Sequence, residues 1–288
     1  MTSIIAVTGA SGRIGGQVAR RLADAGVAQR LVGRDPSRLP ELPGAVRAPA
    51  ATYGDGAAMR GAVEGADTLF LVSARESRDR VAEHITAIDA ALAVGVSRVV
   101  YVSFLGAAPD ATFTFGRDHW HTERRLRESG ARFTFLRDSL YQADLAGMVG
   151  ADGVIRGPAG EGRVGAVAHE DIADAAVSVL LGEGHDGAAY DLTGPEALTF
   201  AEIAGILGDA AGRAIEYVPE THEEALASRA GYGAAEWEVA GWVSSYEAVA
   251  TGELSTVSDA VPRLTGHPAL SLREYLERHP ENYRHLVV

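Results

Sequence analysis

A glycine pattern directly after a short apolar run constrains the fold of this chain more than any other feature. Residues 4–8 read Ile-Ile-Ala-Val-Thr, which is typical of a buried strand, and a helical pattern opens soon afterwards. The connecting loop consists of Gly9, Ala10, Ser11, Gly12, Arg13, Ile14 and Gly15. In such a unit the first glycine allows the tight turn, the second lets a pyrophosphate approach the backbone, and the third lets helix and strand pack closely. The loop therefore predicts a dinucleotide-binding site made by these seven residues, with a purely structural turn as the alternative.

Short β-branched runs alternate with longer helical patterns through the first half of the chain, which is typical of βαβ units. The predicted strands are residues 4–8, 29–33, 46–49, 68–73, 98–103 and 133–137. The predicted helices between them include residues 14–25, 80–93 and 117–129. Gly26 and Gly130 follow these helices directly and Gly95 follows one residue later, as glycines do where a left-handed residue ends a helix. The predicted fold class is α/β, a Rossmann-type doubly wound parallel sheet.

The pattern becomes looser past about residue 141, where glycine-rich turns precede helices that do not alternate cleanly with strands. We therefore expect a Rossmann domain over residues 1–140, to which a segment near residues 167–192 returns. Residues 141–288 are expected to form a smaller α+β region that supplies the substrate pocket. Within it, Asp171 is interpreted as a helix N-cap. Trp237 and Trp242 are interpreted as core residues, with an aromatic wall that faces a planar acceptor as the alternative.

The end of the second predicted strand bears on the choice between NADP(H) and NAD(H). NAD-binding folds usually place a carboxylate there to hold the ribose 2′-hydroxyl, whereas this chain has Arg34. A guanidinium attracts a 2′-phosphate, so NADP(H) is the predicted cofactor. NAD(H) stays an alternative, because the neighbouring Asp35 could accept the hydroxyl if its side chain turned inward.

Small residues end two further predicted strands on the edge where a Rossmann sheet faces its cofactor. Ser73 and Ala74 follow the fourth strand, and Ser103 ends the fifth. We expect all three to contact the cofactor, while ordinary strand-end turn residues are the alternative.

Charge and composition exclude several classes of function. The chain has 39 acidic and 26 basic residues and a formal net charge of −13, which repels nucleic acid and anionic membranes. It has no cysteine, and every basic residue is arginine, which excludes thiolate chemistry, a Schiff-base lysine and a Walker-type loop. No run approaches the roughly 18 apolar residues of a membrane span, and no leader pattern opens the sequence. We expect a cytoplasmic protein without a metal, a monomer or weak homodimer, that acts on a small molecule.

Several motifs along the chain resemble the NmrA-like atypical short-chain dehydrogenases, and within them the bacterial type-2 NAD(P)H:quinone oxidoreductases. The resemblance covers nearly the whole chain and is far more specific than the glycine loop alone. It is carried by residues 8–12, 33–36, 53–55, 69–73, 118–119, 122–123, 136–141 and 264–268. It implies a Rossmann domain with a small C-terminal domain that forms a pocket over the nicotinamide.

The resemblance also shows where this chain departs from most short-chain dehydrogenases, which carry a proton-donating Tyr-x-x-x-Lys pair. Phe115 and His119 take the equivalent positions, and no lysine exists anywhere in the chain. The resemblance therefore implies an NADPH-dependent reductase of a quinone or similar conjugated acceptor. A non-catalytic NADP(H)-binding redox sensor is the alternative from a different class, and a nucleotide-sugar epimerase or dehydratase is disfavoured because it would need the same pair.

Three residues are the remaining site candidates. His119 is expected to support the nicotinamide ribose or to pass protons, since a neutral imidazole both donates and accepts, while a surface histidine at the start of the helix is the alternative. Tyr141 is expected to line the nicotinamide pocket and, with His119, to be catalytic, while an ordinary packing tyrosine is the alternative. Asp138 is expected to contact the cofactor, although related sequences often have asparagine there.

Overall fold

The computed structural model describes residues 3–287, which divide into two compact units. The first comprises residues 3–104, 118–137 and 172–190, and the second comprises residues 105–117, 138–171 and 191–287. The strands are β1 Ile5–Thr8, β2 Gln29–Val32, β3 Ala45–Arg47, β4 Thr68–Leu71, β5 Arg98–Phe104, β6 Arg132–Asp138, β7 Val154–Gly157, β8 Arg163–Val164, β9 Ala189–Leu192, β10 Leu198–Thr199 and β11 Glu216–Pro219. The helices are α1 Arg13–Asp24, α2 Gly56–Val63, α3 Arg80–Ala93, α4 Thr114–Glu128, α5 Gln142–Leu145, α6 His169–Leu181, α7 Phe200–Ala211, α8 His222–Arg229, α9 Glu236–Ala250, α10 Ala260–Thr265 and α11 Leu272–Arg278.

The main sheet has the strand order β3-β2-β1-β4-β5-β6-β9. The strand β1 pairs in parallel with β2 on one side and with β4 on the other, and the parallel pairing continues to β3 and β5. The order reverses between β1 and β4, and such a switch point opens a crevice at the carboxyl ends of the strands. This topology confirms the Rossmann-type fold class.

Burial explains why these runs form strands. All four residues of β1 and of β4 are buried, as expected for central parallel strands that are covered on both faces. The apolar cluster on one side of the sheet includes Met59 from α2, Ile88 from α3 and Phe135 from β6, each completely buried. This packing holds the sheet rigidly, so the loops at the carboxyl ends of its strands are the parts that can form a binding site.

The boundaries of the predicted elements agree with the structure to within a few residues. The helix α3 has the bounds predicted for it, and α4 begins three residues before the prediction. Gly26, Gly95 and Gly130 all have positive φ, at 71°, 97° and 76°. The helix α2 was not predicted, because its eight residues contain two glycines, which lower helix propensity. Asp55, which caps it by accepting hydrogen bonds from the N–H groups of residues 57 and 58, was the available signal.

The second unit contains two small sheets, an antiparallel pair of β8 and β10 and a parallel pair of β7 and β11. Capping boxes at Thr199, Thr221 and Ser271 start α7, α8 and α11. The interpretation of Asp171 as an N-cap was wrong, because α6 begins two residues earlier and the Asp171 carboxylate accepts a hydrogen bond from the Leu270 N–H at 2.9 Å. Trp242 is 38% exposed, so it is not a core residue as expected. Within residues 3–287, no helix is both long and apolar enough to cross a membrane.

Candidate functional site

The loop between β1 and α1 has the backbone geometry that its glycines predict. Gly9 has a φ of +61°, in the left-handed region, and its carbonyl accepts a hydrogen bond from the Gly12 N–H at 2.8 Å. A Cβ added at Gly15 would lie 2.5 Å from the carbonyl oxygens of Thr8 and Gly9, so no other residue fits there. The third glycine of the pattern therefore secures the contact between helix and strand.

The N-terminus of α1 is open toward solvent. Its N-cap, Gly12, has no side chain to satisfy the first helical N–H groups, and no acidic residue lies in the first turn. At the start of α2, by contrast, the Asp55 carboxylate accepts hydrogen bonds from the corresponding N–H groups. Ser11, Gly12 and Arg13 are exposed, whereas Ala10 and Ile14 are buried. A helix N-terminus without a side-chain cap and the positive end of the helix dipole suit a pyrophosphate, so this loop fits the predicted dinucleotide.

The strand β2 lies beside β1 and leads into an exposed arginine. Arg34 follows Gly33, and both Arg34 and Asp35 are exposed. The Asp35 carboxylate accepts hydrogen bonds from the Ser37 N–H at 3.0 Å and the Ser37 hydroxyl at 2.6 Å, so it caps the short 3₁₀ turn Pro36–Arg38. These hydrogen bonds hold the pKa of Asp35 below its ordinary value. The Asp35 carboxylate is therefore hydrogen-bonded within its own turn, whereas Arg34 lies exposed just after the end of β2.

Tyr53 ties the carboxyl ends of β1 and β4 together. Its hydroxyl lies 2.6 Å from both the Thr8 Oγ1 and the Val72 carbonyl, and the Thr8 hydroxyl accepts a hydrogen bond from the Val72 N–H at 2.9 Å. Burial raises the pKa of Tyr53, so the hydroxyl stays protonated and can donate. Sequence reasoning did not include Tyr53 among the site residues, although the Tyr-Gly-Asp motif at residues 53–55 was the available signal.

The residues that follow β4 are held by side chains from α3. Ser73 and Ala74 are half-buried. The Ala74 N–H donates to His84 Nε2 at 2.8 Å, and the Ala74 carbonyl accepts from Arg80 Nε at 2.8 Å. Both backbone groups of Ala74 therefore have protein partners, and the loop is fixed in place where the crevice opens.

His119 lies inside the same polar cluster, only 5% exposed. Arg80 Nη2 lies 3.2 Å from His119 Nε2, and the Tyr101 hydroxyl lies 2.9 Å from Nδ1. Because a guanidinium can only donate, Nε2 must accept, and the ring proton is on Nδ1. Burial, reinforced by Arg80 and His84, lowers the pKa of His119 well below its ordinary value. The imidazole is thus neutral, and both of its nitrogens have partners in the first unit.

His84 is a second neutral histidine in this cluster. Its Nε2 accepts from Ala74, so Nδ1 carries the proton and donates to the Thr122 hydroxyl at 2.9 Å, which in turn donates to the Asp118 carbonyl at 2.9 Å. Burial, and then the charge of Arg80, lowers the pKa of His84 to about 3. Sequence analysis did not identify His84 or Arg80, since no local pattern marks their partners.

Ser103 belongs to a buried ion-pair network. It is completely buried, and its hydroxyl donates to Glu123 Oε1 at 2.7 Å. The same carboxylate, also completely buried, accepts from Arg137 at 2.8 and 2.7 Å and from Arg127 at 2.9 Å. Multiple hydrogen bonds compensate the desolvation of this charge. The structure thus gives Ser103 a role in packing α4 against β5, and its contact with the cofactor stays a prediction.

Asp138, Tyr141 and Phe115 lie in the second unit. The Tyr141 hydroxyl donates to Asp138 Oδ2 at 2.8 Å, and the buried Asp138 also accepts from the Leu105 N–H through its carbonyl at 2.7 Å. The Tyr141 ring lies 4.3 Å from that of His169. Phe115 is buried against Gly241, where an added Cβ would lie 2.2 Å from the ring. The loop of residues 9–15, Arg34, Ser73, Ala74, Ser103 and His119 belong to the first unit.

Comparison with known proteins identifies the family whose pattern this chain carries. The family model described as NAD(P)H-binding matches residues 9–183, which is more than half of the chain and includes the glycine loop.

Characterised relatives cover almost the whole chain. The NAD(P)H azoreductase of Xenophilus azovorans is 33% identical over 96% of this chain and 98% of its own length. A reductase of (4-alkanoyl-5-oxo-2,5-dihydrofuran-3-yl)methyl phosphate from Streptomyces griseus is 34% identical over 97% and 99%. The crystal structure of an NADPH-dependent quinone oxidoreductase of Escherichia coli with NADPH superposes with a TM-score of 0.86 at 29% identity, over 95% of this chain and 99% of that one.

Proposed function

This chain belongs to the NAD(P)H-binding family, and from that premise we propose that it is a reductase that transfers hydride from NADPH to a quinone or a similar conjugated acceptor. The acceptors named for its relatives share extended conjugation. They are an azo compound, an unsaturated lactone that carries a second carbonyl, and a quinone. This common chemistry supports a conjugated acceptor rather than a simple carbonyl compound.

The first unit supports NADPH as the hydride donor. When bound, NADPH supplies a hydride, which carries two electrons to the acceptor. The open N-terminus of α1 would hold its pyrophosphate, and Arg34 would pair with its 2′-phosphate. Tyr53, His84 and Arg80 would hold the adjoining loops in position through the hydrogen bonds described above.

One observation carries the choice of acceptor: α4 offers no proton donor of the usual kind. Phe115 cannot donate a proton, and no lysine is present to assist a tyrosine. His119 is neutral, and its single ring proton is directed to Tyr101. Hydride addition to a quinone gives a delocalised anion that water can protonate, whereas a simple ketone would give a localised alkoxide. The reaction that tolerates the missing donor is therefore reduction of a conjugated acceptor.

We expect 1,4-naphthoquinone to be reduced at least about 100-fold faster than 1-tetralone, because a positioned acid contributes roughly 10²–10⁴-fold and only the ketone needs one. The two compounds share a fused bicyclic skeleton, so a difference in size or ring shape does not account for the difference in turnover. Steady-state consumption of NADPH, corrected for the rate without protein, measures both. Equal turnover of the two would contradict the mechanism, and no turnover of either despite tight NADPH binding would favour the redox sensor instead.

Arg34→Ala should remove most of a preference for NADPH over NADH that we expect to be about 1–3 kcal/mol, the range for charge-assisted hydrogen bonds. Affinities for the two cofactors can be measured by quenching of intrinsic fluorescence. Arg273→Ala, which removes an exposed arginine from α11, serves as the matched control and should leave the preference unchanged. Equal affinities for the two cofactors in the wild type, or an unchanged preference in Arg34→Ala, would show that Arg34 does not bind the 2′-phosphate.

His119 is proposed to be a positioning residue, because its contacts lead through Arg80 to the Ala74 carbonyl. Tyr141 and Asp138 are proposed to form one hydrogen-bonded unit, in which Asp138 fixes the direction of the tyrosine hydroxyl. Their contact with the nicotinamide stays a proposal.

A further inference from the structure

A cavity of about 540 Å³ lies entirely within the second unit. It is bounded by the segment from Gly147 to Arg156, by the end of α8 and the turn that follows it, and by one side of α9. Cavities of roughly 300–1,000 Å³ are the usual size for small-molecule sites in proteins. The volume is therefore sufficient for a ligand of one or two fused rings.

Two aromatic rings form the outer wall of this cavity. Tyr232 is 69% exposed and Trp242 is 38% exposed, and their ring centroids are 6.4 Å apart at an angle of 46°. Large aromatic surface left in water is unfavourable, and neighbouring rings offer faces and edges on which another ring can stack. Met148 adds a polarisable, adaptable side chain to the same lining.

The inner wall is rigid. Tyr246 is buried and stacks on Phe200 with centroids 5.0 Å apart at 26°. A Cβ added at Gly157 would lie 2.3 Å from the Tyr246 ring, so the backbone touches the ring on that side. The Arg229 guanidinium lies 5.3 Å from the ring centroid. Because these contacts fix Tyr246 without a ligand, little conformational entropy would be lost on binding.

The arginines in the lining do not make the cavity positively charged. Arg156 pairs with Asp152 at 2.7 Å, and Arg229 pairs with Glu220 at 2.9 Å. Arg229 also donates to the carbonyls of Arg156 and Ala225 at 2.7 and 2.9 Å. With each guanidinium matched by a carboxylate and a chain charge of −13, an anionic ligand gains no net attraction here.

We infer that this cavity binds an uncharged planar aromatic molecule, which stacks on Trp242 and Tyr232 above a floor formed by Tyr246. Binding at this site requires neither NADPH nor turnover. The inference therefore goes beyond the proposed function, and either of the two can be wrong without the other.

The test compares 2-naphthol with 2-naphthalenesulfonate, which share a ring system and differ in charge. Isothermal titration calorimetry in the absence of NADPH prevents any reduction. We expect 2-naphthol to bind one site per chain, at least about tenfold more tightly than the sulfonate. Trp242→Ala should weaken binding by about tenfold, since both stacking and buried ring area are lost. Trp120→Ala, which removes a half-buried tryptophan from α4 in the first unit, should leave the affinity unchanged.

Thermal unfolding of both variants establishes that they are folded before binding is compared. Equal or tighter binding of the sulfonate would overturn the inference that the ligand is uncharged. Unchanged binding to folded Trp242→Ala would overturn the site itself. The site would also be overturned if light scattering shows that Trp242→Ala converts a dimer into a monomer while 2-naphthol binding is unaffected, because the exposed rings would then pack against a second copy.

Discussion

Gly12→Val is expected to weaken NADPH binding by about 100-fold or more while the protein stays folded. Gly12 is exposed, its backbone is extended with φ at −96° and ψ at −177°, and an added Cβ would lie 3.2 Å from one carbonyl oxygen. The fold can accommodate such a residue with a small shift. A pyrophosphate could not bind beside this valine, because the methyl groups would fill the space in front of the helical N–H groups that donate to it. Losing two charge-assisted hydrogen bonds of about 1.5–3 kcal/mol each accounts for the magnitude.

Two further glycine variants separate binding from folding. Gly15→Ala should lower the thermal stability markedly, because its Cβ would lie 2.5 Å from two backbone carbonyl oxygens that cannot move without breaking the turn. Gly61→Ala in α2 has no atom within 4 Å of the added carbon, so it should leave the affinity unchanged and raise the stability slightly, because alanine has the higher helix propensity. For each of the three variants, titration with NADPH measures the affinity and thermal unfolding measures the stability. Unchanged NADPH affinity in folded Gly12→Val would show that the loop does not bind the pyrophosphate.

Acidification to about pH 5 is expected to destabilise the protein strongly through His84 and His119. In the native state His84 has a pKa of about 3, against an ordinary value of 6.5, and the pKa of His119 is also well below 6.5. Below about pH 6.5 the unfolded chain binds protons at these histidines and the native chain does not. The free energy of unfolding therefore falls as the pH drops through this range, by about 2 kcal/mol at about pH 5 through His84, and further through His119.

Urea denaturation at about pH 7.5 and about pH 5 measures this loss. His84→Gln should remove the part of the loss that comes from His84, about 2 kcal/mol, since glutamine takes up no proton in this range. His267→Gln replaces an exposed histidine and should retain the full loss. A loss of the same size in the wild type and in His84→Gln would mean that other groups cause it.

Local sequence determined the parts of this protein that depend on neighbouring residues. The strand of residues 5–8 and the glycines at positions 9, 12 and 15 specify a strand-turn-helix unit, because apolar periodicity and tolerance of a close approach are properties of a short segment. Arg34 was predicted to pair with the 2′-phosphate in the same way, from its position at the end of a strand, and that role stays a prediction. The absence of lysine is a fact of composition and restricted the chemistry before any fold was considered.

The tertiary structure alone decided which polar groups meet. Arg80 and His119 are 39 residues apart and His84 and Thr122 are 38 residues apart, so no local pattern indicates that these side chains satisfy one another. Ser103 illustrates the same limit, since its position at a strand end does not indicate that its hydroxyl donates to Glu123, 20 residues further along the chain. The aromatic cavity likewise combines segments from residues 147 to 246. Hydrophobic periodicity determines which face of an element is buried, whereas the partner of a buried polar group depends on how distant elements pack.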